Sequence, residues 1–196
     1  MVEKRPNGFA ESSKNFYNFF KSMSIPKPIH KYLKDHKIKY EVVPHKTVFT
    51  AYDLAQTLKH DLGKIVKTLL LDVKIPKVSK VGKYYVLAIP ASYRADFVKV
   101  KKALKASKVS IAAEKAMKKL GIVPGTLSPF ASMHKTELLL DRALLKTKDA
   151  IVRAGSLTES LRMKVKDLHQ LENALVSSFG SKAPGLKLQT KSKKKR

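Results

Sequence analysis

Ile65-Val66-Lys67-Thr68-Leu69-Leu70-Leu71-Asp72-Val73 decides the fold class. It is nearly all apolar and short, and it suits a strand covered on both faces. Tyr84 to Ile89 is a second such strand, after a turn near Gly82. Outward from this pair, strands alternate with helices. Toward the N-terminus, Ile29, Tyr32 and Leu33 mark a short helix over 29–36, and Tyr40-Glu41-Val42-Val43 a strand. Thr50 followed by Asp53 is a capping-box-like start for a helix running to about Leu58. Toward the C-terminus, Asp96 caps a helix whose apolar side is Phe97, Val100 and Leu104. Its other side is Lys99, Lys101, Lys102 and Lys105. Val109 to Ala112 is a short strand, and Lys115 to Leu120 a helix that Gly121 ends. Leu138-Leu139-Leu140, Ala150-Ile151-Val152 and Met163 to Val165 are strands, and Asp167 to Leu175 a closing helix. Several strands are connected too closely for crossover units. The fold class is therefore α/β of the α+β kind: a mixed β-sheet with helices packed on it.

The ends differ from this body. In residues 1–25, Phe16, Phe19 and Phe20 have helical spacing and could dock a short helix; Pro26 and Pro28 close that N-terminal extension. Residues 26–180 form the expected domain, and residues 181–196 a disordered basic tail with seven positive charges and no acid. The whole chain of 196 residues carries a formal net charge of +26, so most of the basicity belongs to the body and a polyanion is the expected partner. With 43% apolar residues the chain can bury a core. There is no cysteine, which removes disulfides, a thiol nucleophile and Cys-based metal sites. No apolar run suggests a membrane span, and the Met-Val-Glu-Lys-Arg start lacks an apolar signal core, so a cytoplasmic protein is expected.

Three places stand out chemically. Lys67 puts a cation in the most apolar strand of the chain. Either its stem lies along the sheet with the head in water, or the head serves a pocket. Gly121-Ile122-Val123-Pro124-Gly125-Thr126-Leu127-Ser128-Pro129-Phe130 is a rigid, non-helical loop. It is either an ordinary connection or a loop whose free N–H groups meet a carbonyl oxygen as charge develops. Arg153-Ala154-Gly155-Ser156-Leu157-Thr158 is a small polar turn after a strand. The six histidines show no metal-ligand spacing, so no metal is expected. No nucleophile elbow surrounds Ser128 or Ser156, and there is neither a P-loop nor a dinucleotide fingerprint. No cofactor is expected.

Taken in order, Thr50-x-x-Asp53-Leu54-Ala55, Val66-Lys67-Thr68-Leu69-Leu70-Leu71, Gly121-x-x-Pro124-Gly125-x-x-Ser128-Pro129-Phe130 and a strand ending at Gly155 resemble the YbaK/ProRS-associated editing-domain family of aminoacyl-tRNA deacylases. The likeness spans about residues 27–176. It implies a partly barrel-like sheet and hydrolysis of the ester joining a wrong amino acid to the 3′ end of tRNA, chiefly tRNA for proline. It implies that Lys67 is the family's essential lysine, that Gly121, Pro124, Gly125 and Ser128 form its pocket loop, and that Gly155 is the glycine of a second pocket loop. Lys67 and Gly125 are the expected catalytic positions. Thr50, Thr68 and Ser156 complete the expected substrate site. Ala131 stands where many members have glycine, and the histidine of the synthetase-inserted editing domain is missing from the second loop, which leaves alanine, cysteine and serine open as the amino acid.

The resemblance requires no metal or protein nucleophile, since an aminoacyl ester is already activated and gains much from positioning alone. For tRNA binding the expectation falls on Lys99, Lys101, Lys102 and Lys105 and on Lys193, Lys194, Lys195 and Arg196, the last group also resembling a nuclear localisation cluster. A free-standing, trans-acting monomer is expected. The competing readings are an inactive tRNA-binding module, as a subunit of an aminoacyl-tRNA synthetase complex, and a generic basic nucleic-acid-binding protein.

Overall fold

Why the Ile65–Val73 run must be a strand is visible in what covers it. The computed structural model describes residues 24–76 and 83–184. In it β2 (Val66–Lys74) lies inside a five-stranded mixed sheet. Antiparallel β3 (Lys83–Pro90) flanks it along its length, from Val66 opposite Pro90 to Val73 opposite Lys83. On the other side β5 (Lys108–Ile111) pairs with Leu71–Lys74 only. Beyond β3 lie two parallel neighbours, β6 (Glu137–Asp141) and β9 (Leu175–Ser177). Alternate β2 side chains reach two cores: Val66 and Leu70 join Phe130, Leu138 and Leu140 on one face, while Leu71 and Val73 join Leu87, Ile89 and Phe179 on the other. Each such side chain contributes about 1.5–3 kcal/mol through burial, which outweighs its local conformational preference.

A second sheet packs beside the first. It consists of β1 (Tyr40–Pro44), β8 (Glu159–Lys164) and β7 (Asp149–Arg153), all antiparallel in the order β1-β8-β7. A parallel bridge between Ile65 and Ile151 joins the two sheets. Among the described residues the two sheets do not close into a barrel. Five α-helices are described. In α1 (Lys27–Asp35), Pro28 sits in the first turn, where its missing N–H costs nothing, and Ile29 and Leu33 are buried. The others are α2 (Ala51–Leu58), α3 (Phe97–Ala103), α4 (Glu114–Lys119) and α5 (Val165–Leu171). Asp96 caps α3 through the N–H groups of Val98 and Lys99, and Val100 beneath it is fully buried.

Several expectations need correcting. The strand expected at Met163–Val165 begins four residues earlier, at Glu159, because both β1 and β7 pair with it there. The closing helix covers Val165–Leu171 rather than Asp167–Leu175; Asn173 at φ +44° stops it, and Leu175 enters β9. β4 (Tyr93–Ala95) and β10 (Gly180–Lys182) pair with each other. Buried Asp141 accepts from the N–H groups of Phe179 and Gly180 at 2.7 and 2.8 Å, and so anchors this closing segment. Ser181 and Lys182 thus belong to a strand rather than to the tail. The expected helix around Phe16–Phe20, the turn at Gly82, and Lys193, Lys194, Lys195 and Arg196 lie outside the described residues.

The capping box of α2 is present in full. Thr50 Oγ1 accepts from the N–H of Asp53 at 3.0 Å, and the Asp53 carboxylate accepts from the N–H of Thr50 at 3.3 Å and from its hydroxyl at 2.7 Å. Thr50→Ala is expected to cost about 1 kcal/mol in urea unfolding. A loss near zero would show that the cap does not hold α2.

Candidate functional site

The unequal pairing of β2 leaves a notch in the sheet. Ala112 N–H donates to Leu70 C=O at 2.9 Å, so the peptide groups of Leu70 point toward β5. Peptide directions alternate along a strand, so those of Thr68 point the same way, onto an edge where β5 has already ended. A cavity of about 190 Å³ occupies this notch, lined by all of Val66–Leu70, the ends of β5 and β7, and the loop glycine Gly125.

Lys67 borders this cavity from the strand. Its ammonium donates to the Tyr93 carbonyl of β4. An ammonium has three donors, so this bond positions the head and leaves two for a ligand. Burial, and then the nearby charge of Arg94, hold its pKa below the ordinary lysine value. Thr68 Oγ1 donates to Leu127 C=O at 2.7 Å, fastening the Gly-Pro loop to the strand. Within that loop Thr126 N–H donates to Val123 C=O at 3.1 Å across Pro124-Gly125. Gly125 has φ +82°. Proline followed by a left-handed glycine is the signature of a type II turn. The Gly125 N–H has no acceptor among the described residues.

Apart from Pro124, which leads the turn into Gly125 and lines neither cavity named here, the expected site residues divide into three groups. Lys67, Thr68 and Gly125 line the notch. Gly121, Ser128 and Gly155 line a second, mostly apolar cavity of about 200 Å³ that shares only Leu127 with the lining of the first. Thr50 and Ser156 are occupied with local structure. The Ser156 hydroxyl, fully buried, accepts from the N–H groups of Thr158 and Glu159 at 3.1 and 3.0 Å. The Oγ of Ser128 is buried with no hydrogen-bond partner among the described residues.

Gly155 is a close-approach position. At φ +75°, a Cβ there would stand 2.8 Å from Pro26 Cδ, and proline cannot swing away. Its N–H donates to Thr126 C=O at 3.1 Å, tying the two loops together. Gly155→Ala is expected to destabilise the fold by about 2–4 kcal/mol, from the left-handed backbone and the clash combined. Unchanged chemical denaturation would mean that α1 is free to move off the loop.

Two features escaped the sequence reading. Arg153, only 4% exposed, borders the notch from the end of β7. Its guanidinium donates to the carbonyls of Ser156, Val48 and Thr50 at 3.1, 2.8 and 3.5 Å, and burial pulls its pKa down to about 10. The second is a basic cleft of about 500 Å³ farther along the β2–β7 seam, where Lys64, Lys146, Lys148 and Arg162 face one acid, Asp149. Of the four lysines expected on this helix, Lys99, Lys101 and Lys102 lie on α3 and Lys105 follows its end at φ +49°; all four are exposed, with Lys99 3.6 Å from Asp96. Among the described residues no three His, Cys, Asp or Glu side chains converge as a metal site. Nor is any described helix long and apolar enough to cross a membrane.

Comparison with known proteins agrees with this geometry. The profile of the aminoacyl-tRNA editing domain matches residues 45–171. A search of curated proteins finds no match. Among solved structures, a protein described as hypothetical superposes with a TM-score of 0.70 at 21% identity, covering 79% of this chain and 100% of its own. A protein described as a candidate trans-editing enzyme for prolyl tRNA synthetase gives 0.64 at 21% identity, covering 81% and 99%. At such identities these two structures speak for the fold alone.

Proposed function

The chain belongs to the aminoacyl-tRNA editing domain family, and from that premise we propose that it is a cytoplasmic trans-editing hydrolase, deacylating tRNA for proline mischarged with alanine, cysteine or serine. The observation that carries the reading is the notch itself. Among the described residues it brings together a strand edge without a partner, Lys67 with its ammonium held on the Tyr93 carbonyl, and a turn glycine whose N–H has no acceptor. These are the groups ester hydrolysis needs. The strand edge offers a peptide N–H and C=O at Thr68 to the aminoacyl group. Water adds to the ester carbonyl, and the oxyanion that forms meets the Lys67 ammonium and the Gly125 N–H. The tetrahedral intermediate collapses by breaking the bond to the ribose oxygen, which takes up a proton as the amino acid leaves. The small volume limits the acyl group by exclusion.

General affinity for the tRNA comes from the basic surfaces: Lys99, Lys101, Lys102 and Lys105, the 181–196 segment with Lys193, Lys194, Lys195 and Arg196, and the cleft at Lys64, Lys146 and Lys148. Phosphate neutralisation makes that affinity fall steeply with salt. The test is release of amino acid from Ala-, Cys- and Ser-charged tRNA for proline. Acceleration above spontaneous hydrolysis with at least one of them is expected. Tight tRNA binding without acceleration on any would leave a tRNA-binding module and overturn the hydrolase.

A further inference from the structure

The rim of the notch carries two side chains that water should not see. Phe49 is 60% exposed and Ile111 59% exposed, and both line this one cavity. Phe49 is not on a loose loop. Val48 N–H donates to Leu157 C=O at 3.1 Å, and Arg153 holds the carbonyls of Val48 and Thr50 on either side of it. Thr50 in turn caps α2. A firmly held backbone therefore presents an aromatic ring to solvent at the mouth of the cavity.

We propose that Phe49, with Ile111 lining the same cavity, is the platform on which the 3′-terminal nucleobase of the substrate tRNA stacks. The inference rests on the reading of the notch as the ester site, and covalent connectivity then fixes the occupant. The ester hangs on the terminal ribose, and that ribose bears the terminal base. With the acyl group beside Lys67 and Gly125, the base lies one sugar away, at the mouth. A flat base covers apolar rim surface there and stacks on the ring, an interaction that tolerates any base because each has a π-face.

The test is a double-mutant cycle on binding, using the full chain and uncharged tRNA. Kd is measured for wild type and Phe49→Ala, each with intact tRNA and with tRNA lacking its terminal nucleotide. Phe49→Ala is expected to weaken binding of intact tRNA by about 5- to 150-fold and to leave binding of the shortened tRNA nearly unchanged. Phe49→Trp should restore binding of the intact form. Equal losses with both tRNAs, or a Phe49→Trp variant as weak as Phe49→Ala, would overturn the proposal. Because the readout is binding, the two readings fail separately: coupling without hydrolysis removes the hydrolase and keeps the platform, and hydrolysis without coupling does the reverse.

Discussion

Lys67→Ala is expected to lower kcat/KM for aminoacyl-ester hydrolysis by about 10²–10³-fold, the size of losing one charge-stabilising donor, without loss of stability. The side chain sits in an apolar strand, and its ammonium donates to the Tyr93 carbonyl. The apolar surroundings disfavour an ammonium, and the hydrogen bond to the carbonyl offsets only part of that cost. Burial and the charge of Arg94 both depress its pKa below 10.5. The unfolded chain therefore holds this proton more tightly than the folded one, so the lysine works against the fold at neutral pH. Stability should rise as pH climbs between the lowered folded value and 10.5, and Lys67→Ala should flatten that rise. Activity has the opposite sign, because an ammonium facing an oxyanion is lost over the same alkaline range. A kcat/KM profile that falls there in wild type, beside thermal unfolding of both proteins from neutral to alkaline pH, checks both halves. Turnover equal to wild type removes Lys67 from the reaction.

The legible parts of the molecule were those whose signal is local. The Ile65–Val73 run, Tyr84–Ile89 and Leu138–Leu140 read as strands because burial on both faces leaves an unbroken apolar stretch. Thr50-x-x-Asp53 and Asp96 read as caps because the hydrogen bonds they make span only two or three residues. Lys67 and Gly125 could be singled out from the oddity of a cation in that strand and of Pro-Gly in that loop, while Thr68 came only with the family resemblance. What stayed hidden depends on distant partners. β4 and β10 are three residues each and exist through pairing across the chain. Arg153 is buried because the Val48 carbonyl, 105 residues away in sequence, receives it. The Gly-Pro loop looked like one pocket wall, yet Leu127 makes it two-sided, with Gly125 facing one cavity and Ser128 the other.

That two-sidedness separates two substitutions within four residues. Gly125→Val is expected to reduce kcat/KM by about 10²-fold and to destabilise the fold by about 1–3 kcal/mol. At φ +82° a β-branched residue is strained whatever the space around it. Its Cβ would also stand 3.3 Å from the Phe49 carbonyl and 3.4 Å from Leu157 Cδ2. Relief must come by pushing the Phe49 backbone or tilting the turn. Either movement shifts the cavity wall and the free Gly125 N–H. Ser128→Ala should behave differently. The hydroxyl is buried with no partner, so removing it takes away an uncompensated desolvation cost and should raise stability by up to about 1 kcal/mol. Ser128 lines the second cavity and not the one that Lys67 borders, so turnover should stay within about twofold of wild type. Steady-state kinetics and urea unfolding of the two variants decide the matter. An inactive Ser128→Ala beside a normal Gly125→Val would move the reacting centre out of the notch and into the second cavity.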